Sequence, residues 1–123
     1  MPAAIREMKI GIVGPCAAGK TTLANNLRAL GYDASDIAQE HSQAQTMWQR
    51  IARPDILIYL DAALPTLRAR LQVDWEQSYL DELNRRLSDA RSHAHIVLRT
   101  DDLSENAVCQ RVVEFLRASS SNL

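Results

Sequence analysis

The chain has 123 residues, of which 46% are apolar and 24% are charged, and its 14 basic and 15 acidic residues give a net charge of −1. This size predicts one globular domain, residues 1–123, and the near-neutral charge argues against duplex nucleic acid or an anionic membrane as a partner. No run approaches about 18 apolar residues, so we expect no membrane-spanning helix. The opening MPAAIREMK lacks the apolar core of a secretory signal, which predicts a cytoplasmic protein.

The first part of the chain predicts two strands and two helices. Lys9–Val13 is a short apolar run typical of a strand. A helix with regularly spaced leucines is expected from Lys20 to the glycine at position 31, where a helix end favours glycine. Residues 32–37 predict a weak second strand, and residues 47–51 predict a short helix that must end before the proline at position 54.

The middle of the chain predicts a buried strand and two further helices. Residues 56–60, ILIYL, are apolar throughout, as in a strand covered on both faces of a parallel sheet. Pro65 suits the first turn of the next helix. Asp74, followed three residues later by Gln77, resembles a capping box that would open another helix.

The last part of the chain predicts one strand and one helix. Residues 95–98 form the strand, Ser104 can cap the helix that follows, and we expect the tail at 118–123 to be frayed. Strands therefore alternate with helices along the whole chain. This alternation predicts an α/β fold, a three-layer α/β/α sandwich around a short parallel sheet.

The segment GPCAAGKT, residues 14–21, matches the pattern G-x-x-x-x-G-K-[ST] in full. A loop of this length can wrap a phosphate with inward N–H groups, and the helix that follows adds its positive end. Lys20 would reach the β- and γ-phosphates, and the Thr21 hydroxyl would bind the Mg²⁺ that bridges them. Cys16 is expected to be a small filler rather than a nucleophile. The predicted nucleotide contacts in this segment are Gly14, Pro15, Cys16, Ala17, Ala18, Gly19, Lys20, Thr21 and Thr22.

With this loop, three further segments make the chain resemble the small P-loop kinases, the group that includes nucleoside monophosphate kinases and dephospho-CoA kinases. They are PDILIYLDAALPTLRARL at 54–71, ARSHAHIVLRTDDLSENAVCQRVVEFL at 90–116 and DASDIAQEH at 33–41. The resemblance implies a nucleotide-kinase-like member of the P-loop NTPase superfamily, in shortened form. It also implies transfer of the γ-phosphoryl group of ATP, with Mg²⁺, to a small acceptor.

The resemblance also implies roles for individual residues. Asp36 would orient or deprotonate the acceptor hydroxyl or hold Mg²⁺ through water, with Asp33 and Glu40 as substitutes. Arg68 and Arg70 lie where lid arginines would brace the transferring phosphoryl group. Arg99 and Thr100 fall where family members wrap the adenine. The catalytic candidates are Lys20, Asp36 and Arg68, and the candidate metal ligands are Thr21 and Asp36.

Several of these positions have a plainer interpretation. Asp33 and Asp36 can be simple turn formers, because aspartate favours such places. Arg68 and Arg70 are two residues apart and cannot both use one helical face. Asp61 ends the apolar run ILIYLD in the form of a Walker B aspartate, yet the arginines after it favour a structural role.

The chain is shorter than the kinases it resembles. Residues 40–54 leave no room for the usual acceptor-binding helical pair and extra strand, and residues 71–74 leave none for a large lid. We expect an ATP-dependent kinase acting on a nucleotide- or nucleoside-type acceptor. The alternatives are a non-catalytic nucleotide-binding module read by a partner and a slow NTP hydrolase. A short sheet could also use a second copy of the chain to cover an edge, as a homodimer.

Overall fold

The structure is a computed structural model that describes residues 7–121, with side chains described as far as residue 119. These residues form four strands and six helices. In chain order they are β1 (Lys9–Val13), α1 (Lys20–Ala29), β2 (Asp33–Asp36), α2 (Met47–Ile51), β3 (Ile56–Asp61), α3 (Leu64–Leu71), α4 (Gln77–Arg86), α5 (Ser88–His93), β4 (Ile96–Arg99) and α6 (Glu105–Ser121). A 3₁₀ helix, Gln39–His41, follows β2.

The four strands form one sheet in the order β2-β1-β3-β4, and every neighbouring pair is parallel. Ile12 of β1 lies between Asp36 of β2 and Ile58 of β3. Because all strands run the same way, their carboxyl ends meet at one edge of the sheet. The predicted α/β class with a short parallel sheet is confirmed.

Apolar side chains cover both faces of this sheet. On one face α1 and α6 contribute Leu27 and Val112, which are fully buried against the strands. On the other face Trp48 of α2 packs with Leu87 and Ala90 against Tyr59 and its neighbours. Helices on both faces of one sheet are consistent with the predicted three-layer sandwich. Within residues 7–121, no helix is long and apolar enough to cross a bilayer.

β1 has the predicted bounds, and the other three strands differ from prediction by one residue at one or both ends. β2 covers 33–36 rather than 32–37, and β3 continues one residue further, to Asp61. β4 begins at Ile96 rather than at His95. His95 holds the strand entrance in place: its main-chain N–H donates to the Leu57 carbonyl (2.8 Å), and its Nδ1 accepts from the Leu57 N–H (3.0 Å).

The helix boundaries confirm one predicted cap and contradict another. The Ala107 N–H donates to Ser104 Oγ at 3.1 Å, which confirms the predicted cap of α6. The capping box at Asp74 is wrong, because α4 begins at Gln77 and its N-cap residue, Glu76, makes no side-chain cap bond. α6 continues through residues 118–121, where a frayed tail is predicted, and residues 122–123 of that tail lie outside the described residues.

Candidate functional site

The loop at residues 14–19 joins β1 to α1 at the carboxyl edge of the sheet and is curled. The Ala18 N–H donates to the Pro15 carbonyl at 3.2 Å. Gly14, Ala17 and Gly19 have positive φ angles of 150°, 65° and 108°. A Cβ at Gly14 would lie 2.1 Å from the Leu60 carbonyl oxygen, so only glycine allows β3 to pass this close.

Lys20 points back into this loop from the first turn of α1. Its Nζ donates to the carbonyls of Gly14 (2.7 Å) and Pro15 (3.4 Å) and forms an ion pair with the carboxylate of Glu40. The Lys20 and Glu40 side chains are only 9% and 3% exposed. The ammonium charge is thus held inside the curl, with a buried carboxylate as its counter-ion.

Thr21 and Asp36 meet at the mouth of the loop. Thr21 Oγ1 donates to Asp36 Oδ2 at 3.0 Å, because Asp36 ends β2 and β2 lies directly beside β1. Asp61 ends β3 on the other side of β1, but its carboxylate accepts from Arg91 (3.1 Å) and from the Ala62 N–H (2.9 Å). The structure therefore brings Asp36, and not Asp61, to the predicted metal-binding hydroxyl.

Arg70 and Thr100 line the cavity over the loop and hydrogen-bond to its main chain. Arg70 donates to the Ala17 carbonyl (2.8 Å), to the Thr100 carbonyl (2.7 Å) and to Thr100 Oγ1 (3.1 Å). Thr100 is 2% exposed, and its hydroxyl donates to the Ala18 carbonyl at 2.8 Å. These bonds join α3, the end of β4 and the loop into one hydrogen-bonded unit.

Two predicted residues lie away from this unit. Arg68 donates from Nε to the Trp75 carbonyl (2.5 Å), on the far side of α3 from Arg70. This divergence follows from the two-residue spacing noted in the sequence. Arg99 is 66% exposed in its side chain and pairs with Asp101 at 3.5 Å, whereas its neighbour Thr100 faces the loop. Alternation along β4 explains why adjacent residues face opposite ways.

A cavity of about 730 Å³ opens over the loop. It is lined by residues 16–23, by Asp36, Ala38, Glu40 and His41 at and after the end of β2, by Arg70 and Thr100, and by Leu103, Ser104, Glu105 and Val108 around the start of α6. Gly14 and Pro15 do not line it, and they serve the site through their carbonyls. A pocket of this size suits a ligand as large as a nucleotide.

The apolar wall of this cavity was missed in the sequence. Leu103 precedes the cap of α6, and Val108 lies in the first turns of that helix. The sequence did contain a signal for this wall. Leu103 lies just before the cap residue Ser104 and Val108 lies four residues after it, and apolar residues in these two positions often contact each other. Glu40 was named only as a substitute for Asp36, because a buried partner for Lys20 leaves no sequence pattern.

The thiol of Cys16 lies at the cavity floor. Burial, and next the negative charge of Glu40, raise the pKa of this thiol above its ordinary value of 9.0. A thiol held in its protonated form is a poor nucleophile. This agrees with the expectation that Cys16 is not a nucleophile.

Comparison with known proteins gives no family assignment. No protein-family model matches the chain, and no match was found among curated proteins or solved structures. The function is therefore argued from the residues and their geometry.

Proposed function

We propose that this protein binds ATP with Mg²⁺ and transfers the γ-phosphoryl group to a small acceptor of the nucleotide or nucleoside type. The hydrogen bond between Thr21 Oγ1 and Asp36 Oδ2 carries the proposal. It joins the predicted Mg²⁺-binding hydroxyl, in the first turn of α1, to a carboxylate at the end of β2. Oxygen ligands of this kind suit Mg²⁺, which is commonly held by one or two protein ligands and the phosphates of its substrate.

The loop supports the proposal as a phosphate cradle. It is curled, it begins directly after a buried strand, and it leads into the N-terminus of α1, where a helix favours anions. Lys20 already lies inside the curl. A triphosphate would accept hydrogen bonds from the loop N–H groups and take over the Lys20 ammonium from Glu40.

The two ends of the cavity suit two different parts of the reaction. Leu103 and Val108 offer an apolar surface for an adenine ring. Glu40 and His41 follow β2, at the other edge of the sheet from β4, and could receive an acceptor that approaches the γ-phosphate. Phosphoryl transfer needs mainly positioning and charge stabilisation, so Asp36 and Lys20 could supply most of the protein's part.

One observation favours the alternative of a non-catalytic nucleotide-binding module. Arg68, the predicted catalytic arginine, bonds to the Trp75 carbonyl, and Arg70 is engaged with Ala17 and Thr100. Arg70 lines the cavity, but neither arginine could contact a transferring phosphoryl group without giving up its present hydrogen bonds. A module of this type would bind Mg-ATP without turning it over.

Nucleotide binding is tested first, by calorimetric titration of Mg-ATP into the protein and two lysine variants. Lys20→Ala should abolish the binding, whereas Lys9→Ala, which changes the only other lysine and lies exposed on β1, should bind as the parent does. A ligand present at 100 times its Kd should also stabilise the fold by about 2.7 kcal/mol. Unchanged affinity in a folded Lys20→Ala protein would refute nucleotide binding at this loop.

Transfer is tested by following ADP release from Mg-ATP with a panel of nucleosides, nucleotides and small alcohols. The kinase is supported if ADP release depends on an acceptor and is slower in Asp36→Asn. The control is Asp33→Asn, at the other end of β2 and outside the cavity lining, which should release ADP as fast as the parent does. Binding without turnover on any acceptor favours the module. Steady release without an acceptor indicates a slow hydrolase.

A further inference from the structure

Three side chains with strong metal-ligand chemistry meet at the cavity floor. They are Cys16 of the loop and Glu40 and His41 of the 3₁₀ helix that follows β2. One ligand atom from each lies within 4.8 Å of the other two. Residues that are 24 and 25 positions apart in sequence are brought together by the pairing of β1 with β2.

Two of the three distances among these atoms are close to an edge of a tetrahedral zinc site. Cys16 Sγ lies 3.5 Å from Glu40 Oε2 and 3.5 Å from His41 Nε2. With the usual zinc–ligand bond lengths, two ligand atoms on a tetrahedron around Zn²⁺ are separated by about 3.6 Å. The ligand atoms of Glu40 and His41 lie within 4.8 Å of each other, so binding of an ion to all three residues would draw these two side chains closer together.

The carboxylate of Glu40 gives an independent sign that a ligand is needed here. Its side chain is only 3% exposed, and its Oε2 accepts from Lys20. Its Oε1 is buried and has no hydrogen-bond partner among the described residues. A buried carboxylate oxygen without a partner carries a large desolvation cost. A cation bound by Oε1 would remove that cost and leave Oε2 paired with Lys20.

We propose that Cys16, Glu40 and His41 form a binding site for Zn²⁺ or a similar thiophilic divalent ion, with three protein ligands and one open position. The site is separate from the Thr21–Asp36 pair, which offers only oxygen atoms. Thiolate and imidazole ligands select zinc-like ions, whereas hydroxyl and carboxylate ligands suit Mg²⁺. On binding, the Cys16 thiol gives its proton to solvent, and the thiolate forms the bond to the metal.

The zinc site extends beyond the proposed function and does not depend on it. The ion would join the loop at Cys16 directly to the segment after β2. Its open position faces the cavity, because all three ligands line it. The full chain without nucleotide is therefore the proper material for the test, and a failure to bind ATP would leave this proposal unaffected.

The test titrates Co²⁺ and then Zn²⁺ into the full-length protein freed of metal by a chelator. Co²⁺ reports a thiolate ligand through its sulfur-to-metal charge-transfer absorption, and Zn²⁺ affinity follows from competition with a chromophoric chelator. We expect one ion per chain, with the charge-transfer band, retained in excess Mg²⁺. If the parent protein shows neither the charge-transfer band with Co²⁺ nor stoichiometric binding of Zn²⁺, the proposal is overturned.

Matched variants locate the site. Cys16→Ser and His41→Ala should each weaken Zn²⁺ binding at least about 100-fold, since even loss of an outer-shell partner typically costs 10- to 100-fold. Cys109→Ser and His93→Ala change the other free cysteine and an exposed histidine outside the cluster, and both should bind as the parent does. His41 is exposed, so its variant should fold even if Cys16→Ser does not. Equal affinity in parent and His41→Ala would rule out this ligand set.

Discussion

Lys20 and Glu40 form an ion pair that is almost completely buried beneath the cavity. Their side chains are 9% and 3% exposed, and the ammonium also donates to the carbonyls of Gly14 and Pro15. The lysine that a polyphosphate would need is therefore already bound by a carboxylate of the same protein. A phosphate must displace Glu40 or share the ammonium with it.

Replacing Glu40 should strengthen nucleotide binding. Glu40→Gln keeps the size of the side chain but removes the charge that competes for Lys20, so the Kd for Mg-ATP should fall by about tenfold, equivalent to about 1.4 kcal/mol. Calorimetric titration measures this change. Glu114→Gln, on the exposed face of α6, is the matched control. Weaker binding in Glu40→Gln would instead mean that the carboxylate assists the nucleotide.

Gly14→Ala should destabilise the fold more than Gly19→Ala. An added Cβ at Gly14 would meet the Leu60 carbonyl oxygen at 2.1 Å, whereas one at Gly19 has its nearest atom at 4.0 Å. Both glycines have positive φ, so each variant carries backbone strain of about 1–3 kcal/mol. Only Gly14→Ala adds the clash, which should bring its loss to about 3 kcal/mol or more. Urea unfolding of the two variants tests this order, and equal losses would contradict it.

Arg70→Ala should lower the free energy of unfolding more than Arg68→Ala does, although both arginines are exposed on α3. Arg70 makes three hydrogen bonds to Ala17 and Thr100, and Arg68 makes one bond to Trp75. We expect Arg70→Ala to lower the free energy of unfolding by about 1–2 kcal/mol and Arg68→Ala by less than about 1 kcal/mol. Urea unfolding measures both. A larger loss in Arg68→Ala would show that the Trp75 contact, and not the loop, is the stabilising one.

Asp101 should contribute to the acid sensitivity of the fold. Its carboxylate accepts from Thr66 Oγ1 (2.6 Å) and the Ala63 N–H (2.8 Å), and these bonds, Thr66 first, hold the pKa of Asp101 below its ordinary value of 3.8. A pKa lowered by folding stabilises the protein above the unfolded value. That stabilisation is lost as the pH falls through the folded value.

The Asp101 contribution is measured from the Tm between about pH 5 and pH 2. Asp101→Asn can still accept both hydrogen bonds but does not titrate, so its Tm should fall less steeply with acid than that of the parent. Asp102→Asn, one residue further along the turn, should retain the parent's slope. If Tm falls with pH equally steeply in Asp101→Asn and in the parent protein, Asp101 does not contribute to the acid sensitivity of the fold.

The elements with strong local patterns were predictable from the sequence. The run ILIYL is apolar throughout because β3 is buried on both faces, and β1 and α1 are marked by the glycines and the leucine spacing around them. α5 gave no such signal. It is six residues long, its only buried residue is Ala90, and it follows α4 after a single residue.

The candidate site was predictable where it depends on one segment and not where it depends on the sheet. The curl at 14–19 follows from the spacing of Gly14 and Gly19. The choice between Asp36 and Asp61 required the strand order, because both residues end strands that flank β1. The opposite roles of Arg68 and Arg70 likewise depend on which side of α3 faces the loop.

The strand order also has a consequence for cooperativity. β1 pairs with strands on both sides, and the cavity above it takes its walls from the beginning, the middle and the end of the described chain. A fragment that ends after α5 would keep β1, β2 and β3 but would lack Thr100 and the whole of α6. The pocket should therefore appear and disappear together with the fold, in a single transition.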